Sequence, residues 1–295
     1  MTMISQNLTS AAPIPAPPVL SEPRYGDDIA PQPAGAPSQT IIHGDSLTVM
    51  RSLPDASVDA IVTSPPYNVG VKCGTCNDNL PRADYLTWMA EHATEFARLL
   101  REDGAVFLNL GTSAKDPWLA DDVIRLFRPH FTRQNDVTWV KSIEIRGETS
   151  GQFLPINSDR LLNRTNEQIY HLSRTGRVPI DRLAIGVPYQ DKSNLGRWYH
   201  ATADRRCGGN SWFIPYEPIC GAKGKHGHPA IFPLELPRRC LKLHGKSGGL
   251  VLDPFAGSGT TLVAARQLGW RGIGIEIDET YAETARRRIA EVERA

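Results

Sequence analysis

The chain reads as an α/β protein, with a mostly parallel central sheet, helices on both faces and an irregular inserted region. Three observations predict this. Short apolar runs suited to buried strands alternate with stretches of helical periodicity. A strand, a glycine-rich turn and a helix start follow one another over 250–261. Between about 175 and 228 the periodicity lapses into scattered Gly, Pro, Trp, Tyr and basic residues, then returns.

The elements follow in order. Residues 1–38, rich in Pro, Ala and Ser, read as a disordered tail. Order begins with a strand over 40–45, a helix over 46–52 and a strand over 58–62. Residues 68–82 carry Gly, Asn and Asp and read as a long loop. Leu86, Met89, Ala93, Phe96 and Leu100 recur at helical spacing, and Asp103-Gly104 is expected to end that helix. A strand over 105–110, an amphipathic helix over 118–127 and strands over 136–140 and 168–172 come next. After the irregular region, a helix is expected over 233–244, a strand over 250–252, a helix over 260–268, a strand over 271–275 and a last helix from 278.

Composition narrows the class. No apolar run approaches a membrane span, and no basic segment leads into an apolar one near the N-terminus, so a cytoplasmic protein is expected. Five cysteines, an odd number, point to reduced thiols rather than a disulfide framework. Cys73 and Cys76 have metal-ligand spacing, but a lone pair of this kind falls short of the four ligands zinc requires, and no metal is predicted. The net charge is +1, yet residues 141–250 hold 17 Lys and Arg against 9 Asp and Glu. A basic middle between acidic ends suits a polyanionic partner.

Two motifs carry chemistry. Thr63-Ser64-Pro65-Pro66-Tyr67 follows the apolar strand over 58–62. Successive prolines donate no backbone N–H and leave bare carbonyl oxygens beside an aromatic ring. That arrangement suits the exocyclic amino group of a flat base. The second motif runs Asp253-Pro254-Phe255-Ala256-Gly257-Ser258-Gly259-Thr260-Thr261. Its glycines permit close backbone approach, and the helix that follows offers unpaired N–H groups. Glu276 lies 19 residues beyond Gly257, where nucleoside-binding α/β folds place a carboxylate for ribose hydroxyls. The third glycine of a dinucleotide fingerprint is missing, and Asp253 suits a cationic ligand, so S-adenosylmethionine (AdoMet) fits better than a pyrophosphate.

These two motifs resemble those of the AdoMet-dependent DNA amino-methyltransferases, over roughly residues 40–293. The base-binding motif precedes the cofactor motif, as in the β class of that family. The resemblance implies a Rossmann-like AdoMet-dependent methyltransferase fold, with a catalytic half over 39–174, a target-recognition region over 175–227 and an AdoMet-binding half over 228–295. It implies catalytic roles for Ser64, Pro65, Pro66 and Tyr67. It implies cofactor contacts from Asp45, Ser46, Thr63, His228, Pro229 and Glu276, and from the run Asp253, Pro254, Phe255, Ala256, Gly257, Ser258, Gly259, Thr260 and Thr261. Thr138-Trp139-Val140-Lys141 resembles a strand behind the base pocket. Asn166-Glu167-Gln168-Ile169 resembles a motif that often begins with His.

Double-stranded DNA is the implied substrate. Lys141, Arg177, Lys192, Arg197, Arg205, Arg206, Lys223 and Lys225 are the expected DNA contacts, interleaved with Tyr189, Trp198, Tyr199, Trp212 and Tyr216. Carbon-5 cytosine methylation calls for a cysteine nucleophile after proline, and no Pro-Cys occurs. Ser-Pro-Pro-Tyr resembles mostly cytosine-N4 enzymes, whereas adenine-N6 enzymes mostly carry Asp or Asn at the first position. Cytosine N4 is therefore the expected target atom, adenine N6 the alternative, and a silent DNA-binding module a third reading. The resemblance also brings in a homodimer and a separate restriction endonuclease as partners, and association with the nucleoid through DNA.

Overall fold

A run of strands whose side chains are apolar on both faces dictates a sheet covered on both sides. In the computed structural model, β1 (Gln39–His43) leads to α1 (Ser46–Ser52) and β2 (Val58–Thr63), all six residues of which are buried. A two-stranded hairpin, β3 (Lys72–Cys73) and β4 (Cys76–Asn77), precedes α2 (Arg82–Leu99) and β5 (Leu100–Leu110). Then come α3 (Leu119–Phe127), β6 (Thr132–Val140), a second hairpin of β7 (Ser142–Ile145) and β8 (Glu148–Gly151), and β9 (Asn166–Ser173). The chain continues through a 3-10 turn at Lys192–Asn194, β10 (Ser211–Phe213), α4 (Glu235–His244), β11 (Leu250–Asp253), α5 (Thr260–Gln267), β12 (Arg271–Glu276) and α6 (Glu279–Val292).

The structure describes residues 37–70, 72–73, 76–151, 157–197, 203–216 and 232–292. All belong to one compact unit, Pro33–Ala295. Most of the expected tail, the residues Trp198 and Tyr199, and the site calls Lys223, Lys225, His228 and Pro229 lie outside the described residues. Among the described residues, no helix is long and apolar enough to cross a membrane.

Eight strands form the main sheet in the order β1-β12-β11-β2-β5-β9-β6-β10. Only β9 runs antiparallel to its neighbours, β5 and β6; the other pairings are parallel. The period-2 alternation of each strand divides the core. Ile61, Val106 and Leu108 pack beneath α1, α2 and α3, while Ala60, Val62, Ala105 and Phe107 face α4 and α5.

Two expectations change. Helix α2 stops at Leu99, before Asp103-Gly104, because Leu100 already pairs with Val58 and begins β5. The strand ladder claims residues that helical spacing alone assigns to the helix. The region after 175 is less separate than its composition suggests. Residues 211–213 pair with β6 at the sheet edge, and Trp212 and Ile214 enter the second core.

One buried charge ties the layers. Asp59 accepts from Lys246 Nζ at 2.7 Å, Arg101 at 2.9 Å and the Leu250 N–H at 2.8 Å. Burial alone would raise its carboxyl, but these donors outweigh burial and hold it below the ordinary value.

Two histidines behave oppositely to a charged pair. His171 stacks on Phe107 at 4.6 Å, and His244 on α4 packs against Trp270. Burial, with the neighbouring His244 for one and Lys246 for the other, pushes both down to about 4. Both are neutral in the fold at pH 7, while the unfolded chain takes up protons near 6.5. Their contribution to stability is thus intact above about pH 6.5 and is lost as pH falls towards 4. Urea unfolding at pH 7 and pH 5 should show wild type losing more stability on acidification than His244→Gln, by up to about 1.4 kcal/mol per pH unit. Equal losses would remove His244 from this account.

Candidate active site

Strand order sets the site. The C-terminal ends of β12, β11, β2, β5 and β6 share one edge of the sheet with the N-terminal end of β9, its only reversed strand. Ligands of open α/β sheets bind outside that edge. A cavity of about 440 Å³ lies there, lined by residues from both sequence motifs.

Asp253 closes β11 and is 1% exposed. Its Oδ1 accepts from Thr63 Oγ1 at 2.7 Å and the Phe255 N–H at 3.1 Å, and its Oδ2 from Thr261 Oγ1 at 2.6 Å. Burial pushes its carboxyl up to about 6 against the pull of these donors. Both oxygens are engaged within the fold, where Asp253 pins the end of β2 to the start of α5. Asp253, Thr63, Gly259 and Thr261 stand outside the cavity lining. Gly259 has φ of 79°, and a Cβ there would meet the Ala285 Cβ at 2.8 Å, so only glycine brings α6 this close to the turn.

The rest of the turn faces the cavity: Pro254, Phe255, Ala256, Gly257, Ser258 and Thr260 line it. Glu276 also lines it, and its two oxygens take the N–H groups of Gly257 at 2.8 Å and Asp278 at 2.9 Å. Burial raises its carboxyl. Arg288 reaches in from α6 and donates to the Ser258 hydroxyl at 2.8 Å and the Thr260 hydroxyl at 3.1 Å.

Asp45 and Ser46 form another wall. Asp45 lines the cavity while its Oδ1 caps α1, accepting from the Thr48 N–H at 2.8 Å. Ser46 Oγ lies 2.8 Å from His92 Nε2, and His92 Nδ1 lies 2.8 Å from the Trp88 carbonyl oxygen. A carbonyl only accepts, so Nδ1 carries the proton and Ser46 donates to Nε2. Burial pushes His92 down to about 4 and keeps it neutral. Trp88 and His92 pack tilted against Phe255, with ring centroids at 5.4 and 5.1 Å. Trp88 sits among the apolar residues of α2, and its place in the wall has no separate signal in the helical spacing.

Ser64, Pro65, Pro66 and Tyr67 all line the cavity. The Pro66 carbonyl accepts from Tyr85 OH at 2.7 Å, whereas the Pro65 carbonyl has no partner among the described residues. Ser64 Oγ is 2.8 Å from Tyr67 OH, which donates to Glu167 Oε2 at 3.0 Å. Asn109 Nδ2 donates to Tyr67 OH at 2.8 Å and to Glu167 Oε2 at 2.7 Å. Lys141 Nζ donates to Glu167 Oε1 at 2.8 Å and lies 5.6 Å from the Trp139 ring. Burial first, then the Glu167 charge, keeps the Tyr67 hydroxyl protonated far above its ordinary value.

The sequence places Lys141 on DNA, but the structure pairs it within the cavity wall. Asn109 and Glu167 carry no assigned role in the sequence reading; the place of Glu167 in the motif Asn166-Glu167-Gln168-Ile169 is the signal that marks it. Arg177, Lys192, Arg197, Arg205 and Arg206 are exposed, away from the cavity lining. Lys192 pairs with Asp204, and Arg205 donates to the Leu183 carbonyl at 3.2 Å. Among the described residues no group of three or more His, Cys, Asp or Glu is placed to hold a metal.

The fold and its edge cavity define an AdoMet-dependent methyltransferase. The structure of TTHA0409 from Thermus thermophilus, complexed with S-adenosyl-L-methionine, superposes with a TM-score of 0.59 at 27% identity, covering 86% of this chain and 94% of that one. PvuII DNA methyltransferase, described as cytosine-N4-specific, shares the fold with a TM-score of 0.64 at 20% identity, over 87% and 92% of the two chains. The family model for N6/N4 DNA methylases matches residues 58–287, and the chain belongs to that family. Type II methyltransferase M.SmaI of Serratia marcescens is 29% identical over 281 residues, covering 84% of this chain and 90% of that protein. DNA adenine methyltransferase YhdJ of Escherichia coli K12 is 26% identical over 265 residues, covering 86% and 84%. This protein is therefore a DNA methyltransferase, and AdoMet is its cofactor. The glycine turn fixed by Glu276 and the aromatic wall of Trp88 and Phe255 fit a nucleoside that carries a sulfonium side chain.

A Cβ on Gly111, just past β5, would lie 2.5 Å from Tyr67 Cε2. Gly111→Ala should displace the Tyr67 ring, slow methyl transfer by about tenfold or more, and leave AdoMet affinity within about threefold of wild type. Single-turnover kinetics and calorimetric titration measure the two quantities, and unaltered kinetics would contradict the placement of the ring.

Proposed function

We propose that this protein methylates the exocyclic N4 of cytosine in double-stranded DNA, on a base rotated out of the helix into the edge cavity. The observation that carries the reading is the acceptor pair at the cavity wall. Ser64 and Pro65 are neighbours in the chain and both line the cavity, while the Pro66 carbonyl is already taken by Tyr85. An exocyclic amine has two N–H bonds and a lone pair conjugated into its ring. Two acceptors draw the N–H bonds out of plane and free the lone pair for in-line attack. AdoMet supplies the methyl group on a positively charged sulfur. Holding the partners in near-attack geometry supplies much of the acceleration, and Tyr67 packs against the base. Extruding the base costs a few kcal/mol of lost stacking.

Ser64 favours cytosine. Its single short hydroxyl stands where adenine-directed relatives mostly carry Asp or Asn, in keeping with the motif's resemblance to cytosine-N4 enzymes. The similarity to an adenine methyltransferase of E. coli keeps adenine N6 as the second reading.

Further roles belong to the same proposal. Glu276, Asp45, Ser46, the turn from Pro254 to Ser258, and Thr260 hold the cofactor directly. Asp253, Thr63, Gly259 and Thr261 act from behind by shaping that turn. His228 and Pro229 complete the cofactor side. Arg177, Lys192, Arg197, Arg205, Arg206, Lys223 and Lys225, in a target-recognition region over 175–227, contact DNA phosphates and groove edges. The names of relatives such as type II methyltransferase M.SmaI support a type II role. A separate restriction endonuclease, a cytoplasmic place on nucleoid DNA and a homodimer belong to the proposal as what the family resemblance implies.

DNA methylated in vitro with labelled AdoMet and digested to nucleosides should yield N4-methylcytosine; N6-methyladenine without it would overturn the choice of base. Ser64→Ala should slow transfer by about 100-fold, the usual scale for losing one positioned polar group at a reacting centre.

A further inference from the structure

We propose that Glu167, clamped by Lys141, is a positioning residue that sets the polarity of the Ser64–Tyr67 hydroxyl pair and takes up the proton released by the newly methylated amine.

The direction of the hydrogen bonds follows from donor capacity. An ionised carboxylate only accepts, so the Tyr67 hydroxyl donates to Glu167 Oε2 across 3.0 Å. The Asn109 amide nitrogen only donates, and it faces both that carboxylate oxygen and the Tyr67 oxygen, at 2.7 and 2.8 Å. A flipped Asn109 would set its carbonyl oxygen against the carboxylate. The one Tyr67 hydrogen is thereby spent on Glu167. The 2.8 Å contact between Ser64 and Tyr67 then leaves only Ser64 as donor. With its hydrogen directed at Tyr67 and the Asn109 amide 3.4 Å from one lone pair, Ser64 Oγ keeps a second lone pair for an incoming N–H group. Without the carboxylate, the Tyr67 hydroxyl is free to turn its hydrogen towards Ser64, and Ser64 is free to turn its own towards the amine, donor against donor.

The charges around Glu167 support the same assignment. Lys141 balances it from β6 at 2.8 Å, Tyr67 faces it from the loop after β2, and Asn109 from β5. The charge of Glu167 also acts on Tyr216, beyond β10, whose hydroxyl is raised by burial and then by Glu167. Glu167 reaches this edge only because β9 runs antiparallel and begins there.

The proton step balances. The amine nitrogen gains a carbon and a positive charge, then gives one proton to Ser64 Oγ. The Ser64 proton moves to the Tyr67 oxygen, and the Tyr67 proton to the Glu167 carboxylate. Both hydroxyls are restored, the methylated amine is neutral, and the carboxylic acid loses its proton to water before the next turnover.

The proposal rests on Ser64 as the acceptor for the amine, and the test separates the two. Single-turnover methyl transfer is measured at saturating AdoMet and DNA, with AdoMet affinity measured alongside. Glu167→Gln should be slower by about 100-fold with AdoMet affinity within about threefold of wild type. Glu167→Ala should be comparably slow, and added formate should restore at least about tenfold of its rate, where chloride at equal ionic strength restores none. Tyr67→Phe removes only the hydroxyl in the middle of the relay and keeps the test open should the Glu167 variants fail to fold. It should be slowed similarly. A slow Ser64→Ala beside a fast Glu167→Gln or a fast Tyr67→Phe would overturn the relay alone, as would formate acting no better than chloride. A fast Ser64→Ala would overturn the underlying site assignment, and the relay with it.

Discussion

One buried carboxylate joins the two halves of this enzyme. Asp253 accepts from Thr63, the last residue of β2, and from Thr261, in the first turn of α5. Those residues open the base-binding loop and the helix after the cofactor turn. A carboxylate at 1% exposure carries a desolvation cost, visible in a pKa raised to about 6. The fold offsets that cost with two hydroxyls and a backbone N–H. Motifs 190 residues apart in the chain are thereby held in fixed relation, and residues of both line one cavity.

Around that junction, several strands deliver side chains to the same edge. β12 brings Glu276 to the glycine turn, β2 brings Ser64, β5 brings Asn109, and β6 brings Trp139 and Lys141. A parallel sheet would put only strand C-termini at this edge. The reversed β9 adds a strand N-terminus, and with it Glu167. The negative charge paired with Lys141 thus depends on a topological detail as much as on residue choice.

Much of this was legible in the sequence. The alternation of buried strands and periodic helices marks the α/β class, and the strand, turn and helix over 250–267 appear where they are read. The first motif lines the cavity because a strand end followed by two prolines has little conformational choice. What was not legible depends on partners distant in sequence. The bonds of Asp253 to Thr63 and Thr261 join residues that no sequence pattern links. The pairing of Lys141 with Glu167, on a neighbouring strand, is equally hidden in the sequence. Trp88 is indistinguishable from core by spacing, since a helix edge at a cavity rim shows the same periodicity as one turned to the interior. Trp212 looks like part of a surface insert until its strand joins the sheet edge and buries it.

The central claim is that cofactor and base meet in a single cavity built from both motifs. A crystal structure with a non-transferable AdoMet analogue and an oligonucleotide substrate tests it most directly. The account predicts the analogue on the glycine turn beside Glu276, and an extrahelical base whose amino nitrogen lies within hydrogen-bond reach of Ser64 Oγ and the Pro65 carbonyl oxygen. A base held elsewhere, or an amino nitrogen facing neither acceptor, would contradict it.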